Sequence, residues 1–224
     1  MKRKIFGIAL VAMVLVAFFA CSRYDPESDF RVEPIGGGNS VRIVEYLGSS
    51  FEVRIPSRIR NLPVTHIGER AFENSNLTSI TIPNSVTHIG NSAFTRNQLT
   101  SVVIPNSVTN IGSRAFERNR LTNVTIPDSV TTIGHTAFSH NQLTNVVIGS
   151  NVISIGVRVF SNNQLANVTI PNNVTSIAGD AFSNNRLTSV TIPSHTTVEM
   201  RTVDAGGWVS GSDAFDSGVE IIRN

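Results

Sequence analysis

The sequence predicts a leucine-rich-repeat type of solenoid, mainly β, because one 22-residue unit recurs along most of the chain. A phenylalanine returns at that period six times, as Phe72, Phe94, Phe116, Phe138, Phe160 and Phe182. The unit around it returns as well, with the pattern I-P-x-x-V-T-x-I-G-x-x-A-F-x-x-N-x-L-T-x-V-x. A fixed period of this length is typical of stacked units that bury one continuous core.

Residues 1–20 are predicted to be a lipoprotein signal peptide and not part of the fold. A basic start, Lys2 to Lys4, precedes an apolar stretch that ends at Ala20, directly before Cys21. The stretch is shorter than the ~20 residues that span a bilayer. Its layout is that of a secretory signal.

Cys21 is the only cysteine, so an intramolecular disulfide is excluded. Its position resembles a bacterial lipobox, which implies acylation and anchoring to the cell envelope, at the outer membrane or cell surface. Phe18 and Phe19 depart from the usual lipobox residues. An ordinary cleavage site with a chance cysteine and an uncleaved anchor therefore stay open. Residues 21–29 are then a short polar tether that carries the lipid.

The charge of the chain changes when the signal peptide is removed. Lys+Arg number 18 and Asp+Glu 16 in the whole sequence, and removal of Lys2, Arg3 and Lys4 leaves 15 against 16, a net charge of −1. Proteins that bind nucleic acid present a basic face on a basic domain. We therefore expect no nucleic-acid partner.

Residues 30–54 are predicted to form an N-terminal cap, since a solenoid needs an atypical unit over its open end. Two strand-like runs, Phe30–Val32 and Val41–Tyr46, flank three glycines and indicate a hairpin. The repeats occupy residues 55–193. The first repeat is irregular, with a five-residue insertion within residues 58–63.

Each regular unit is expected to start from a strand, Leu99–Ile104 in one example, whose β-branched residues alternate inward and outward. Val108 and Ile111 form a second inward-facing run. Gly112 is expected to turn the chain at a φ that a Cβ would penalise. Ala115 and Phe116 fill the interior from a short helical turn. An asparagine row at a bend is expected to cap backbone groups: Asn97, Asn119, Asn141, Asn163 and Asn185.

Two units depart from the pattern. The unit from Ile148 has Gly149 in place of proline and Val159 in place of alanine, and the next has Ala178 where others have glycine. These units are predicted to be the part of the solenoid with the lowest local stability.

The repeat resembles the BspA-like (treponemal-type) leucine-rich repeat over about residues 51–193. The resemblance is carried by I-P-x-x-V-T-x-I-G-x-x-A-F followed by N-x-L-T-x-V. It implies a right-handed solenoid with a parallel sheet on the concave face. It also implies a secreted or surface protein, in a family where some members bind host matrix or plasma proteins and cells. The cysteine usual after A-F-x-x is asparagine here.

The outward strand positions form a candidate binding face. Strands of adjacent units lie ~4.8 Å apart. The outward side chains are small and uncharged, which suits a peptide or protein surface. Simple solvated strand residues are the alternative. The positions are Ser79, Thr81, Ser101, Val103, Asn123, Thr125, Asn145, Val147, Asn167, Thr169, Ser189 and Thr191. A basic edge could engage an acidic partner, with a solvated mixed-charge edge as the alternative: Arg70, Arg96, Arg114, Arg118, Arg120 and His140.

Residues 194–224 are predicted to be a C-terminal cap with an inserted loop. Phe182 and Phe215 are 33 residues apart, one period plus eleven, before Asp213-Ala214-Phe215 restores the pattern. The insertion carries the only tryptophan. An exposed tryptophan is a common interaction hot spot, so Trp208, Met200 and Arg201 are a candidate interaction loop.

The chain shows no catalytic set: it has no G-x-S-x-G and no phosphate-binding glycine loop. His66 and His88 share a repeat position, but a structural metal site usually has four ligands. We therefore expect no enzyme activity, metal or cofactor. The sequence favours a monomeric, cell-surface, lipid-anchored, adhesin-like module for a host matrix or plasma protein or a neighbouring cell. A structural or scaffolding lipoprotein facing the periplasm is the alternative.

Overall fold

A computed structural model describes residues 24–200, 202–203, 209–210 and 213–224. The predicted signal peptide and Cys21 lie outside the described residues. Within those residues the chain is built of short strands and turns, and the helical segments are two 3-10 turns, Glu27–Asp29 and Gly36–Gly38. The predicted solenoid of mainly β structure is confirmed.

The predicted N-terminal hairpin is confirmed. Strands β1 (Phe30–Ile35) and β2 (Ser40–Tyr46) pair antiparallel across the turn at Gly36–Gly38. Gly37 adopts φ 68°, which glycine reaches without steric cost. β2 then pairs in parallel with a strand of the first repeat. The hairpin therefore continues the sheet of the repeats.

Two parallel ladders run along the repeats. The first sheet contains one short strand in most units. In chain order these are β3 (Glu52–Arg54), β6 (Ser79–Thr81), β9 (Asn123–Thr125), β11 (Asn145–Val147), β14 (Ser189–Ile192) and β18 (Glu220–Arg223). β3 pairs with β6, β9 with β11 and β14 with β18, all in parallel. Asn123 lies opposite Asn145 because the period is constant there, whereas Ser189 lies opposite Glu220 across the C-terminal insertion.

The second sheet arises from the V-T-x-I segment of each unit. Its strands are β5 (Leu62–Ile67), β7 (His88–Ile89), β8 (Asn110–Ile111), β10 (Thr132–Ile133), β12 (Ser154–Ile155), β13 (Ser176–Ile177) and β15 (Thr197–Val198). They are parallel, and the hydrogen-bonded order runs β1-β2-β5-β7-β8-β10 and then, separately, β12-β13-β15. The inward isoleucines are buried along the ladder.

Two further hairpins lie outside the repeat ladders. β4 (Arg58–Ile59) pairs antiparallel with the start of β5, so the region of the five-residue insertion, residues 58–63, forms a tight hairpin. Arg60 and Asn61 in that turn adopt φ 52° and 63°. β16 (Thr202–Val203) pairs antiparallel with β17 (Val209–Ser210) in the C-terminal insertion.

The prediction of a strand over Leu99–Ile104 was wrong for the backbone and right for the side chains. Leu99, Val102 and Ile104 are buried and Val103 is 80% exposed, as alternation requires. Within the described residues, however, no backbone hydrogen bond joins residues 101–104 to the neighbouring units. A groove of 430 Å³ separates this segment from residues 123–127. Apolar burial sets the direction of the side chains, whereas a ladder also needs the backbones to approach closely.

The predicted short helical turn at Ala115 and Phe116 was also wrong, because this side of each unit is a pair of tight turns. The Phe116 N–H donates to the Ala137 carbonyl at 2.8 Å, and equivalent bonds link the other units. Two positions per unit adopt a left-handed φ of 54–60°. These are Arg70, Ser92, Arg114, Thr136, Arg158 and Asp180, and Asn74, Arg96, Arg118, His140, Asn162 and Asn184.

Gly112 is required for a reason that differs from the predicted one. Its φ is not left-handed. A Cβ at this position would lie 2.6 Å from backbone atoms of Gly90 and Asn91 in the preceding unit. The glycine therefore permits close approach between adjacent units.

The core is one continuous cluster along the solenoid, with the phenylalanines stacked at its centre. Successive rings from Phe72 to Phe182 lie 5.1–5.8 Å apart and nearly parallel. Phe215 continues the stack on Phe182 at 5.2 Å and 1°, so the restored pattern after the insertion is confirmed. At the other end Tyr46 stacks on Phe72 at 5.4 Å. The N-terminal hairpin therefore covers the stack with an aromatic ring of its own.

Candidate functional site

The candidate binding face is the outward side of the first sheet, which we call the ladder face. All twelve residues predicted for it are exposed. The residue between each pair points inward, and five of these six, such as Val124 and Val146, are buried. Val168 is half-buried. The alternation of buried and exposed residues, which residues 101–104 keep without ladder hydrogen bonds, thus places the candidate side chains outward with the core directly beneath them.

The middle of the ladder face is uncharged, and most of its side chains can form hydrogen bonds. Asn123 and Asn145 lie opposite each other, as do Thr125 and Val147. Val103 and Val147 are its large apolar residues, 80% and 50% exposed. Such a surface offers many weak polar contacts and two apolar ones, and it contains no arrangement for bond-breaking chemistry.

Both ends of the ladder face carry residues that the sequence reasoning missed. Glu52 lies opposite Ser79 and Arg54 opposite Thr81 at one end. Glu220 lies opposite Ser189 at the other. The alternation in Phe51-Glu52-Val53-Arg54-Ile55 is the signal that could have revealed the first pair. The face therefore has charged ends and a neutral centre.

The asparagine row is structural, as predicted. Asn119 is 7% exposed, and its Oδ1 accepts from the Leu99 N–H at 3.1 Å. Its Nδ2 donates to the carbonyls of Phe94 and Phe116 at 2.9 and 3.2 Å. Asn97, Asn141, Asn163 and Asn185 make equivalent bonds. Each amide thereby joins two units and satisfies buried backbone groups.

The predicted basic edge is a mixed-charge edge. The Glu117 carboxylate lies 3.7 Å from the Nε atoms of both Arg114 and Arg118. Glu73 pairs with Arg70 at 3.4 Å in the same way. Arg70, Arg114, Arg118, Arg96 and His140 occupy the left-handed turn positions. Their exposed side chains follow from the turn, and the neighbouring carboxylates offset part of the positive charge.

The predicted C-terminal interaction loop falls largely outside the described residues. Met200 is 53% exposed. Trp208 and Arg201 lie outside the part of the chain whose side chains are described.

His66 and His88 face each other across β5 and β7. Their rings are stacked, with centroids 4.3 Å apart and planes within 4°. Burial, the neighbouring His88 and Arg42 together lower the pKa of His66 below its ordinary value of 6.5. Over the described ranges, no group of three or more histidine, cysteine or acidic side chains could hold a metal ion. None of the helical segments in those ranges is long and apolar enough to cross a membrane.

The repeat geometry agrees with a match to a known family. A model described as the BspA type leucine rich repeat region matches in six copies over residues 51–142 and 87–202, which is more than half of the chain. The chain belongs to the BspA-type leucine-rich repeat family. Leucine-rich repeat families are in general non-enzymatic scaffolds for protein interaction.

Solved bacterial structures share this BspA-type fold. A leucine rich cell surface protein from Faecalibacterium prausnitzii is 25% identical, with a TM-score of 0.57 over 85% of this chain and 61% of that one. The T. pallidum leucine rich repeat protein is 24% identical, with a TM-score of 0.51 over 76% of this chain and 72% of that one. The pneumococcal vaccine antigen PcpA is 21% identical, with a TM-score of 0.62 over 81% of this chain.

The chain spans 61% of the Faecalibacterium protein and 51% of PcpA. The likenesses to the T. pallidum protein and to PcpA, both below 25% identity, show the fold alone. No curated protein matches the sequence.

Proposed function

We propose that this BspA-type repeat protein is a cell-surface, lipid-anchored binding module that presents its ladder face to a protein partner, as an adhesin does. The observation that carries the proposal is the ladder face, whose twelve predicted residues are all exposed and free of charge. A broad neutral face with charged ends suits a protein surface or an extended peptide. Host matrix and plasma proteins and neighbouring cells are the proposed partners, and the chain acts as a monomer.

Two further observations support the cellular part of the proposal. The segment before Cys21 has the layout of a lipoprotein signal peptide. The Faecalibacterium relative is described as a cell surface protein. A structural or scaffolding lipoprotein that faces the periplasm is the second candidate, because it needs the same signal, Cys21 and repeat fold.

Antibody labelling of intact cells tests the location, with permeabilised cells as the control. Labelling of intact cells is expected, and labelling only after permeabilisation would reject the surface module and favour the periplasmic scaffold. The Cys21→Ser variant tests the anchor in the same cells. It is expected to lose metabolic labelling by palmitate and to leave the membrane fraction.

Binding to immobilised matrix and plasma proteins tests the role of the ladder face. Asn123→Arg and Asn145→Arg place a bulky charge at the centre of the face. Thr132→Arg and Ser154→Arg are matched controls, since these residues are exposed on the second sheet. We expect at least a tenfold loss of binding in the first pair and none in the second. An equal effect of both pairs would place the interface elsewhere.

A further inference from the structure

Three side chains that carry or can acquire positive charge form one row on the second sheet. Arg42 on β2 lies opposite His66 on β5, and His66 lies opposite His88 on β7. All three line a groove of 260 Å³ that also includes Asn110 and Glu69. His66 and His88 align because one outward position recurs in adjacent units, and a register shift between Val41 and Arg42 brings Arg42 opposite His66.

The hydrogen bonds around His88 determine which of its two ring nitrogens already carries a proton. The Thr87 hydroxyl donates to the Thr65 carbonyl at 3.1 Å, so its single proton is in use. His88 Nδ1, 2.8 Å from the same oxygen, is therefore the donor in that pair. Nε2 has no hydrogen-bond partner among the described residues. It is the atom that takes up a proton and becomes a second donor.

Protonation concentrates positive charge in the groove. The charged groups that face the two imidazoles are Arg42, each other and Glu69, and the Glu69 carboxylate is 63% exposed and lies 3.9 Å from Arg70 Nε. Adjacent strands are ~4.8 Å apart. Burial opposes protonation of His66 most, and the neighbouring His88 and Arg42 add repulsion, so that the pKa of His66 is lowered. An anion in the groove would offset the repulsion from Arg42 and His88.

We propose that the Arg42–His66–His88 groove binds a sulfate group, as the free ion or as an ester, when the histidines are protonated. The guanidinium and the two Nε2–H groups are its donors. Sulfate fits better than a phosphate ester because phosphate loses part of its charge near pH 6, in the range where imidazole protonates. The groove lies on the second sheet, away from the ladder face, so the proposal is independent of the proposed function.

Imidazole NMR titrations at constant ionic strength test this assignment, with sodium chloride replaced by sodium sulfate. The five histidines serve as one another's controls. Sulfate is expected to raise the pKa of His66 and His88 and to leave those of His135, His140 and His195 unchanged. Proton uptake is coupled to binding, so inorganic sulfate should bind at least about tenfold more tightly at pH 5.5 than at pH 7.5.

Exposed-site variants complete the test without altering the core. Arg42→Gln and His88→Gln are expected to weaken sulfate binding at pH 5.5, while Arg42→Lys and the control His140→Gln retain it. Equal shifts in all five histidines, or an unchanged affinity in Arg42→Gln, would overturn the proposal. Zinc ions that shift His66 and His88 where sulfate does not would also overturn it and indicate a metal site instead.

Dextran sulfate, a polymer that carries sulfate esters, is a second probe that distinguishes the free ion from an ester as the ligand. Dextran sulfate binding that weakens in the same variants identifies polymer-borne esters as ligands. Variant-sensitive binding of inorganic sulfate alone identifies the free ion. Either result supports the groove as an anion site.

Discussion

Phe116 occupies the middle of the aromatic stack, fully buried, with Phe94 at 5.2 Å and Phe138 at 5.3 Å on its two sides. Phe116→Ala would remove a large apolar side chain and leave a cavity between two units. We expect a loss of about 3–5 kcal/mol in the free energy of unfolding, measured by denaturant melts. A melting curve that overlays the parent would show that the stack collapses to fill the gap.

Asn119 and Asn123 provide a matched pair of asparagines. Asn119 bonds three buried backbone groups, whereas Asn123 is exposed and donates to the Thr122 hydroxyl. Asn119→Ala is expected to destabilise the fold by about 3 kcal/mol, because those backbone groups lose their partners. Asn123→Ala should change stability by less than about 0.5 kcal/mol. Similar melting midpoints for the two variants would contradict the structural role of the row.

At the scale of the element, the close spacing between units depends on a glycine position that recurs in the repeats. The need for glycine at this position differs from one unit to the next. A Cβ at Gly134 would lie 2.2 Å from the Ser113 backbone nitrogen. At Gly156 the nearest atom is Nδ1 of the His135 side chain, at 3.3 Å, and the next unit has Ala178 at this position. The close approach of backbones is therefore strict between some units and relaxed between others.

This difference predicts opposite tolerance to the same substitution. Gly134→Ala must push two backbones apart and should cost about 1–3 kcal/mol or more. Gly156→Ala should be close to neutral, because its nearest contact is a side-chain atom at 3.3 Å that needs to shift only slightly, and alanine restricts the unfolded chain. Thermal unfolding of the two variants measures the contrast. Equal destabilisation would mean that close packing at this position is uniform along the solenoid.

At the scale of the whole molecule, three features coincide between the units that contain Phe138 and Phe160. Their ring separation, 5.8 Å, is the largest among the stacked phenylalanines. The second sheet breaks between β10 and β12. Gly156 has no close backbone neighbour there. These observations support the sequence-based prediction of soft units around residues 148–178, which stays a prediction.

Hydrogen exchange measures this softness directly. Backbone amides of Val152 to Ile170 are expected to exchange faster than those around Phe116, because fewer inter-unit contacts hold them. Residues 101–104 should also exchange fast, since their backbone lacks ladder bonds. Exchange at residues 152–170 no faster than around Phe116 would show that the stack alone makes the solenoid uniformly stiff.

The repeat pattern by itself determined the fold class, the buried positions and the outward ladder. A constant period forces equivalent residues into equivalent environments, so Phe116, Asn119 and the Ser/Thr/Asn positions could be assigned without coordinates. The recovery of the pattern at Phe215 was predictable for the same reason. None of these assignments depends on how closely two units approach.

The distance between units, and everything that follows from it, was decided only by the tertiary structure. The left-handed turns at Arg114 and Arg118 could not be predicted, because neither position holds a glycine. Gly112 is needed because the backbone of the preceding unit lies so close to it. The aromatic cover of Tyr46 and the row of Arg42, His66 and His88 arise because the irregular cap pairs with the second sheet, with a register shift next to Arg42. A sequence period records which residues are equivalent, whereas contacts between units depend on register and spacing in three dimensions.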